Sequence, residues 1–225
     1  MDEKKLISMI DLFKKSFEMY QQRFWIFIKL MAVNILIFLS FFFIIPIIIL
    51  IFLFGKTYWS IILLILLTMF VIVDIVIGLL VQISLIFAIR ERESGISVKE
   101  SLLKAWLMFN SYCWVCFLAG LYILGGFMLF IVPGIIFSIW FTFSAYVLIV
   151  EGKKGKLALM ESKRLVKGYW WQIFWRFLVI GLAEAVISYV PFFGPLINLF
   201  LITPFAVVYS YLIYEDLKRI KNLPV

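Results

Sequence analysis

Histidine is absent from this 225-residue chain, and cysteine occurs only twice. The first absence removes the usual general base at neutral pH and the commonest nitrogen ligand of zinc, copper and haem. The two cysteines, Cys113 and Cys116, allow no disulfide framework. Spaced Cys-x-x-Cys, they would supply half of a tetrahedral zinc site, and no histidine or second cysteine pair exists to complete it. They read as helix-packing residues, so no metal ligand and no cofactor is expected. Charge is equally scarce: 15% of the residues are charged and 65% are apolar, against about 25% and less than half in a soluble domain. Polar residues this few and this clustered cannot clothe a water-soluble surface. The expected fold class is therefore all-α, a polytopic membrane bundle with lipid as its solvent. No paired acids and no Gly-rich phosphate loop occur in the charged segments, so no catalytic residue is assigned and the chain reads as a non-enzyme. The N-terminal segment also lacks the short apolar core and small-residue cleavage site of a signal peptide.

What the chain has in quantity is long apolar runs. A spanning helix needs about 20 predominantly apolar residues, and the runs at 25–54, 58–89, 112–132, 135–150, 171–190 and 196–214 predict six transmembrane helices. The third and fourth are parted by Pro133 and Gly134, the fifth and sixth by a connector at 191–195 that begins and ends in proline. The first two exceed what a ~30 Å hydrocarbon core requires, so tilt or a kink at Pro46 is expected. Six crossings put both termini on one side. Lys and Arg give the chain its +8 formal charge, and all but Lys56 fall on that side. The positive-inside rule makes it the cytoplasmic side of a multi-pass cell-membrane protein. The basic residues sit in short blocks between apolar runs rather than along one face, which argues against a nucleic-acid partner.

Within this single membrane domain, 1–225, three units recur at about 1–89, 90–150 and 151–225. Each places an amphipathic surface helix ahead of a helical hairpin. Trp25, Trp114 and Trp171 fall in register, as do Ser16, Ala105 and Ser162, then Met19, Met108 and Leu165, and Phe13, Leu102 and Leu159. Pro46, Pro133 and Pro191 follow about twenty residues after each tryptophan. Ser97 and Glu100 predict a capping box for the second surface helix. Leu6, Ile10, Phe13 and Phe17 form the apolar stripe of the first, with Asp11 placed to support Lys15 at i,i+4.

Two groups of residues are candidates for function. Asp74 and Glu184 are the acids deep inside the expected spans, where an ionised side chain costs about 2.5–3.5 kcal/mol. Asp74, Gly78 and Gln82 share one helix face, and Gly181, Glu184 and Ser188 share another. They form either an intramembrane polar site (Asp74, Gln82, Glu184, Ser188) or a structural interhelical hydrogen bond with one or both acids protonated. The second group, Lys153, Lys154, Lys156, Lys163, Arg164 and Lys167, suits contact with anionic lipid headgroups, although topology alone accounts for the same charges. Glu151 is placed to pair with Lys153, Lys154 or a basic residue of the third surface helix. Gly120, Gly125 and Gly126 are expected to permit close helix packing.

One segment carries a resemblance. Pro133, Gly134 and Ile135, then Glu151, Gly152, Ala158, Ser162, Leu165, Lys167, Gly168, Tyr169, Trp170 and Trp171, at these offsets, resemble a broad prokaryotic family of six-helix membrane proteins. That family includes the membrane domain fused to some glycerophosphodiester phosphodiesterases and the YciC-like inner-membrane proteins. The likeness runs from about Ser97 to the C-terminus. It implies an accessory or stand-alone membrane module without an established reaction, since the soluble phosphodiesterase barrel has no counterpart here. Two functions are carried forward. The first is a non-catalytic integral membrane module that organises membrane lipids or a partner protein at the cytoplasmic membrane. The alternative is a small transporter or permease using Asp74 and Glu184 as intramembrane carboxylates.

Overall fold

Serine caps begin the first two amphipathic stretches. In the computed structural model, which describes residues 6–34, 44, 46–50, 53, 58–92, 95–191, 193–221 and 223, helix α1 spans Met9–Gln22 and the Asp11 N–H donates to Ser8 Oγ at 3.1 Å. The Asp11 carboxylate accepts the Ser8 hydroxyl at 2.6 Å, so it serves the cap rather than Lys15. After α2, Phe24–Val33, and α3, Tyr58–Arg90, the expected capping box of Ser97 and Glu100 opens α4, Val98–Leu129. Then come α5, Ile131–Phe141; α6, Ser144–Glu151; α7, Lys156–Val166; α8, Trp170–Ser188; and the short α9, Phe193–Ile197. A π-helical turn, Asn198–Ile202, leads into α10, Thr203–Ile220.

Among the described residues, five helical stretches are long and apolar enough to cross a bilayer: Leu64–Arg90, Val98–Leu129, Ile131–Glu151, Trp170–Ser188 and Phe193–Ile220. Their outward faces are greasy. Ile65 and Ile72 on α3, Leu124 and Met128 on α4, and Leu182 and Val186 on α8 are all exposed, a surface that only lipid solvates well. The chain is an integral membrane protein of the helical-bundle class. The first expected span, 25–54, starts in α2, whose ten residues are too few to cross. Its continuation over 35–43 lies outside the described residues, as does Lys56. Pro46 is helical and exposed, but the neighbours that would reveal a kink are not all described.

The structure corrects the third and fourth spans in two ways. The break between them falls at Phe130, whose backbone is extended (φ −165°, ψ 162°), not at Pro133 and Gly134. Proline in the first turn of α5 is tolerated because its missing N–H would have no intrahelical partner anyway. Gly134 instead lets the two helices touch. A Cβ there would overlap the Phe127 ring, and one on Gly126 would stand 3.0 Å from the Gly134 Cα, whereas Gly120 and Gly125 have nothing within 4 Å. The small-residue role therefore belongs to Gly126 and Gly134.

The second correction concerns the middle surface helix, which is no separate element. α4 runs unbroken past Trp114 for 32 residues, about 48 Å at ~1.5 Å per residue. Ahead of Trp25 and Trp171 the chain does break: at Arg23 (φ −120°, ψ 19°) and at Tyr169 (φ −123°, ψ 13°). These two residues each precede their register tryptophan by two positions and share one backbone conformation. The register positions also share an environment. Ser16, Ala105 and Ser162 are fully buried, while Trp25, Trp114 and Trp171 are exposed.

The core gathers at one end of the bundle, where Leu85, Ile89, Val147, Leu148, Val208 and Ile213 are all buried. Ser162 explains why the chain can break between α5 and α6 within it. The Phe143 N–H donates to Ser162 Oγ at 3.1 Å, and that hydroxyl donates to the Trp140 carbonyl at 2.6 Å, so both freed backbone groups are satisfied. A second break is tolerated in the same way. Pro204 cannot donate to the Phe200 carbonyl four residues back. That carbonyl accepts the Tyr20 hydroxyl of α1 at 3.2 Å, and the π-turn absorbs the misfit.

Candidate functional site

The charged end is built from the C-termini of α3, α6 and α10 and the N-terminus of α4. Arg92 pairs with Glu215 at 3.1 Å, Lys104 with Glu91 at 2.5 Å, and Arg90 donates to the Ile149 carbonyl at 2.8 Å. The densest knot surrounds Glu151. Its carboxylate accepts from Lys153 at 2.8 Å and from the Tyr214 hydroxyl at 2.7 Å, and lies 3.3 Å from Lys218, whose side chain is only 3% exposed. Lys153 reaches Glu161 as well, at 3.1 Å, and Glu161 holds Arg164 at 2.5 Å. The hydrogen bond to Glu151 holds the Lys153 ammonium above its usual pKa, with burial opposing. A raised lysine pKa stabilises fully below the free-lysine range and fades only as pH rises through the raised value, so the knot is complete at neutral pH. Gly152 lets the chain leave it: at φ 71° its N–H closes α6 onto the Leu148 carbonyl.

This knot divides the six basic residues expected to meet headgroups. Lys153 and Arg164 are committed to carboxylates, and Lys163 lies over the Trp140 ring at 4.0 Å. Lys154, Lys156 and Lys167 are exposed, and among the described residues their ammonium groups have no partner. Glu151 does pair with Lys153 as expected; its other partners, Lys218 and Tyr214, belong to α10, which the sequence did not connect to it. Beside these lysines stand the exposed apolar side chains Leu157 and Met160 of α7 and Trp171 at the head of α8.

Deeper in the bundle lie two adjoining cavities, of about 640 and 440 Å3, with Gln82, Tyr112 and Thr203 in the walls of both. Asn34 and Gly78 complete the polar side of the larger one; Glu184, Tyr146 and Ser210 belong to the smaller. The hydroxyls mostly spend their protons on helix carbonyls: Thr203 on Asn198 at 2.9 Å, Ser210 on Ala206 at 2.7 Å, Tyr146 on Val207 at 3.3 Å. Among the described residues, neither the Glu184 carboxylate nor the Gln82 amide has a hydrogen-bond partner, and the buried Asn34 Oδ1 is unsatisfied. Glu184 stands fourteen residues beyond Trp170, about 21 Å along α8 and well inside a ~30 Å core.

The intramembrane site expected from sequence is thus rearranged. Gln82 and Glu184 share a cavity. Asp74, partly buried on α3, lines neither cavity. Ser188 donates to the Glu184 carbonyl at 2.8 Å and meets the Asn198 amide at 2.6 Å, fastening α8 to the π-turn. Sequence reasoning missed Asn34, Tyr112, Tyr146, Thr203 and Ser210. Asn34 had a usable signal, a lone amide in the first apolar run, and Pro204 inside the last run marked a disturbed helix beside the cavity. No group of three potential metal ligands occurs among the described residues. Set beside known proteins, the chain matches no family model, no curated protein and no solved structure.

Proposed function

We propose that the protein is a non-catalytic membrane module that gathers anionic lipids at the cytoplasmic face through its amphipathic segments, with both termini on that side. The observation that carries this reading is the surface of α7 and the segment before it. Lys154, Lys156 and Lys167 project without partners among the described residues, beside the exposed Leu157 and Met160 and the exposed Trp171. Apolar side chains flanked by basic ones suit the boundary between headgroups and acyl chains. The other two units support it. Ile10 and Phe17 are exposed near Lys14 and Lys15, and Leu103, Trp106 and Leu107 are exposed near Lys99. The shared joint geometry at Arg23 and Tyr169 supports a threefold repeat in which the middle unit has straightened, and α2 would begin the first of six spans. The likeness of the segment from Ser97 onward to the six-helix family supports the same assignment.

The test is native mass spectrometry of the purified protein with phosphatidylglycerol. Reversing Lys154, Lys156 and Lys167 to Glu should weaken lipid retention by about fivefold or more per site, with the thermal midpoint unchanged. Equal retention by the variant and the wild type would sink the reading.

A second reading has its own observation. The cavity holding Glu184 and Gln82 supports a small transporter or permease, resting on Glu184 alone because Asp74 stands outside the walls.

A further inference from the structure

The paired cavities have an electrostatic asymmetry that selects what they accept. Among the described residues, Glu184 is the only carboxylic acid in their walls, and neither wall holds a Lys or Arg. A carboxylate without a donor among the described residues, set in a low-dielectric surround, attracts a cation and repels an anion far more strongly than in water. Tyr112 and Tyr146 line the same lobe, and aromatic faces favour ammonium groups. The larger lobe is of another kind. Met31, Ile75, Leu79 and Leu199 make it apolar, and Asn34, only 9% exposed, leaves its buried Oδ1 without a donor. Volumes of about 640 and 440 Å3 match sites for small organic molecules, which occupy about 300–1,000 Å3. A dehydrated inorganic cation would rattle in such a space with one carboxylate as its only charged ligand.

We propose that the two-lobed cavity binds a lipophilic organic cation, with an ammonium group held by the Glu184 carboxylate and the tyrosine rings and an apolar body in the Met31–Leu199 lobe. The proposal rests on the second reading above, that the Glu184 cavity is a ligand site. An ammonium on an apolar body is offered by a free amine or by a phospholipid with an ammonium headgroup.

The test uses tritiated dodecyltrimethylammonium with the full chain in maltoside micelles. Saturable binding is expected, unaffected by dodecyl sulfonate, and Glu184→Gln should weaken it at least tenfold. As a readout on unmodified protein, the ammonium should raise the wild-type thermal midpoint while the sulfonate does not. Equal competition by the sulfonate, or unchanged binding in Glu184→Gln, overturns the proposal. Mass spectrometry of co-purified lipid separates the sources. Release of an ammonium-headgroup phospholipid by the probe assigns the lipid, and probe binding without lipid release assigns a free amine. Proteoliposome flux separates this proposal from the reading beneath it. Glu184-dependent flux of protons or inorganic cations in protein that does not bind the probe overturns the organic cation and keeps transport; probe binding without flux does the reverse.

Discussion

At the residue scale, several positions singled out between Glu151 and Leu165 are structural ones. Glu151 centres an ion-pair knot, Gly152 takes a left-handed conformation, and Ala158, Ser162 and Leu165 are fully buried. Ser162 does the most specific work, satisfying the Phe143 N–H and the Trp140 carbonyl at a helix break. Ser162→Ala leaves both groups buried and unpaired, so it should cost about 1–3 kcal/mol, read as a lowered midpoint in thermal unfolding. Ser16, its register counterpart, donates only to the Leu12 carbonyl of its own helix at 2.7 Å, which already has its helical partner. Ser16→Ala should therefore be nearly neutral, and an equal loss at both serines would refute the explanation. Burial of Ser162 could be read from the spacing of apolar residues around it. Its bonding could not, because its partners are about twenty residues away on another helix.

At the scale of elements, α6, α7 and α10 are joined through Glu151, Lys153 and Lys218. Lys218 has a side chain 3% exposed, against 13% for Glu151, so removing one partner strands a buried charge. Glu151→Gln should destabilise by about 3 kcal/mol, whereas adding Lys218→Met should recover most of that loss, since an apolar replacement needs no counter-charge. The comparison is a two-variant thermal-unfolding series. A double variant no more stable than the single one would show that Lys218 is not what the carboxylate balances. The sequence placed Glu151 at the exit of a spanning helix and a basic partner after it. It did not point to α10, because nothing local marks which lysine a returning helix brings alongside. Helix boundaries followed the same division. Ser97 and Glu100 announced the start of α4 through a purely local cap, while the break at Phe130 depended on Gly126 and Gly134 meeting across two helices.

At the scale of the whole molecule, the proposed six-span arrangement gives a direct prediction. In a variant with Cys113 and Cys116 replaced by Ala, single cysteines at Ser8 and Lys221 should react with an impermeant thiol reagent only from the cytoplasmic side, and one at Lys56 only from outside. Opposite reactivity of the two termini would reduce the spans to an odd number. Composition alone determined that this is a helical membrane protein. With 65% apolar residues in long runs, the backbone must satisfy its hydrogen bonds within each segment, which for such runs means helices. Sequence likewise placed Ser16, Ala105 and Ser162 in one register, because the spacing of residues along a segment is local information. Only the tertiary structure decided that Glu184 shares a cavity with Gln82, beside the one that Asn34 lines, while Asp74 lines neither. It alone decided, too, which lysines are consumed by carboxylates and which stay free. Those outcomes depend on how each helix is rotated and where it ends against its neighbours, and in a bundle packed by dispersion and polar contacts no single segment encodes that rotation.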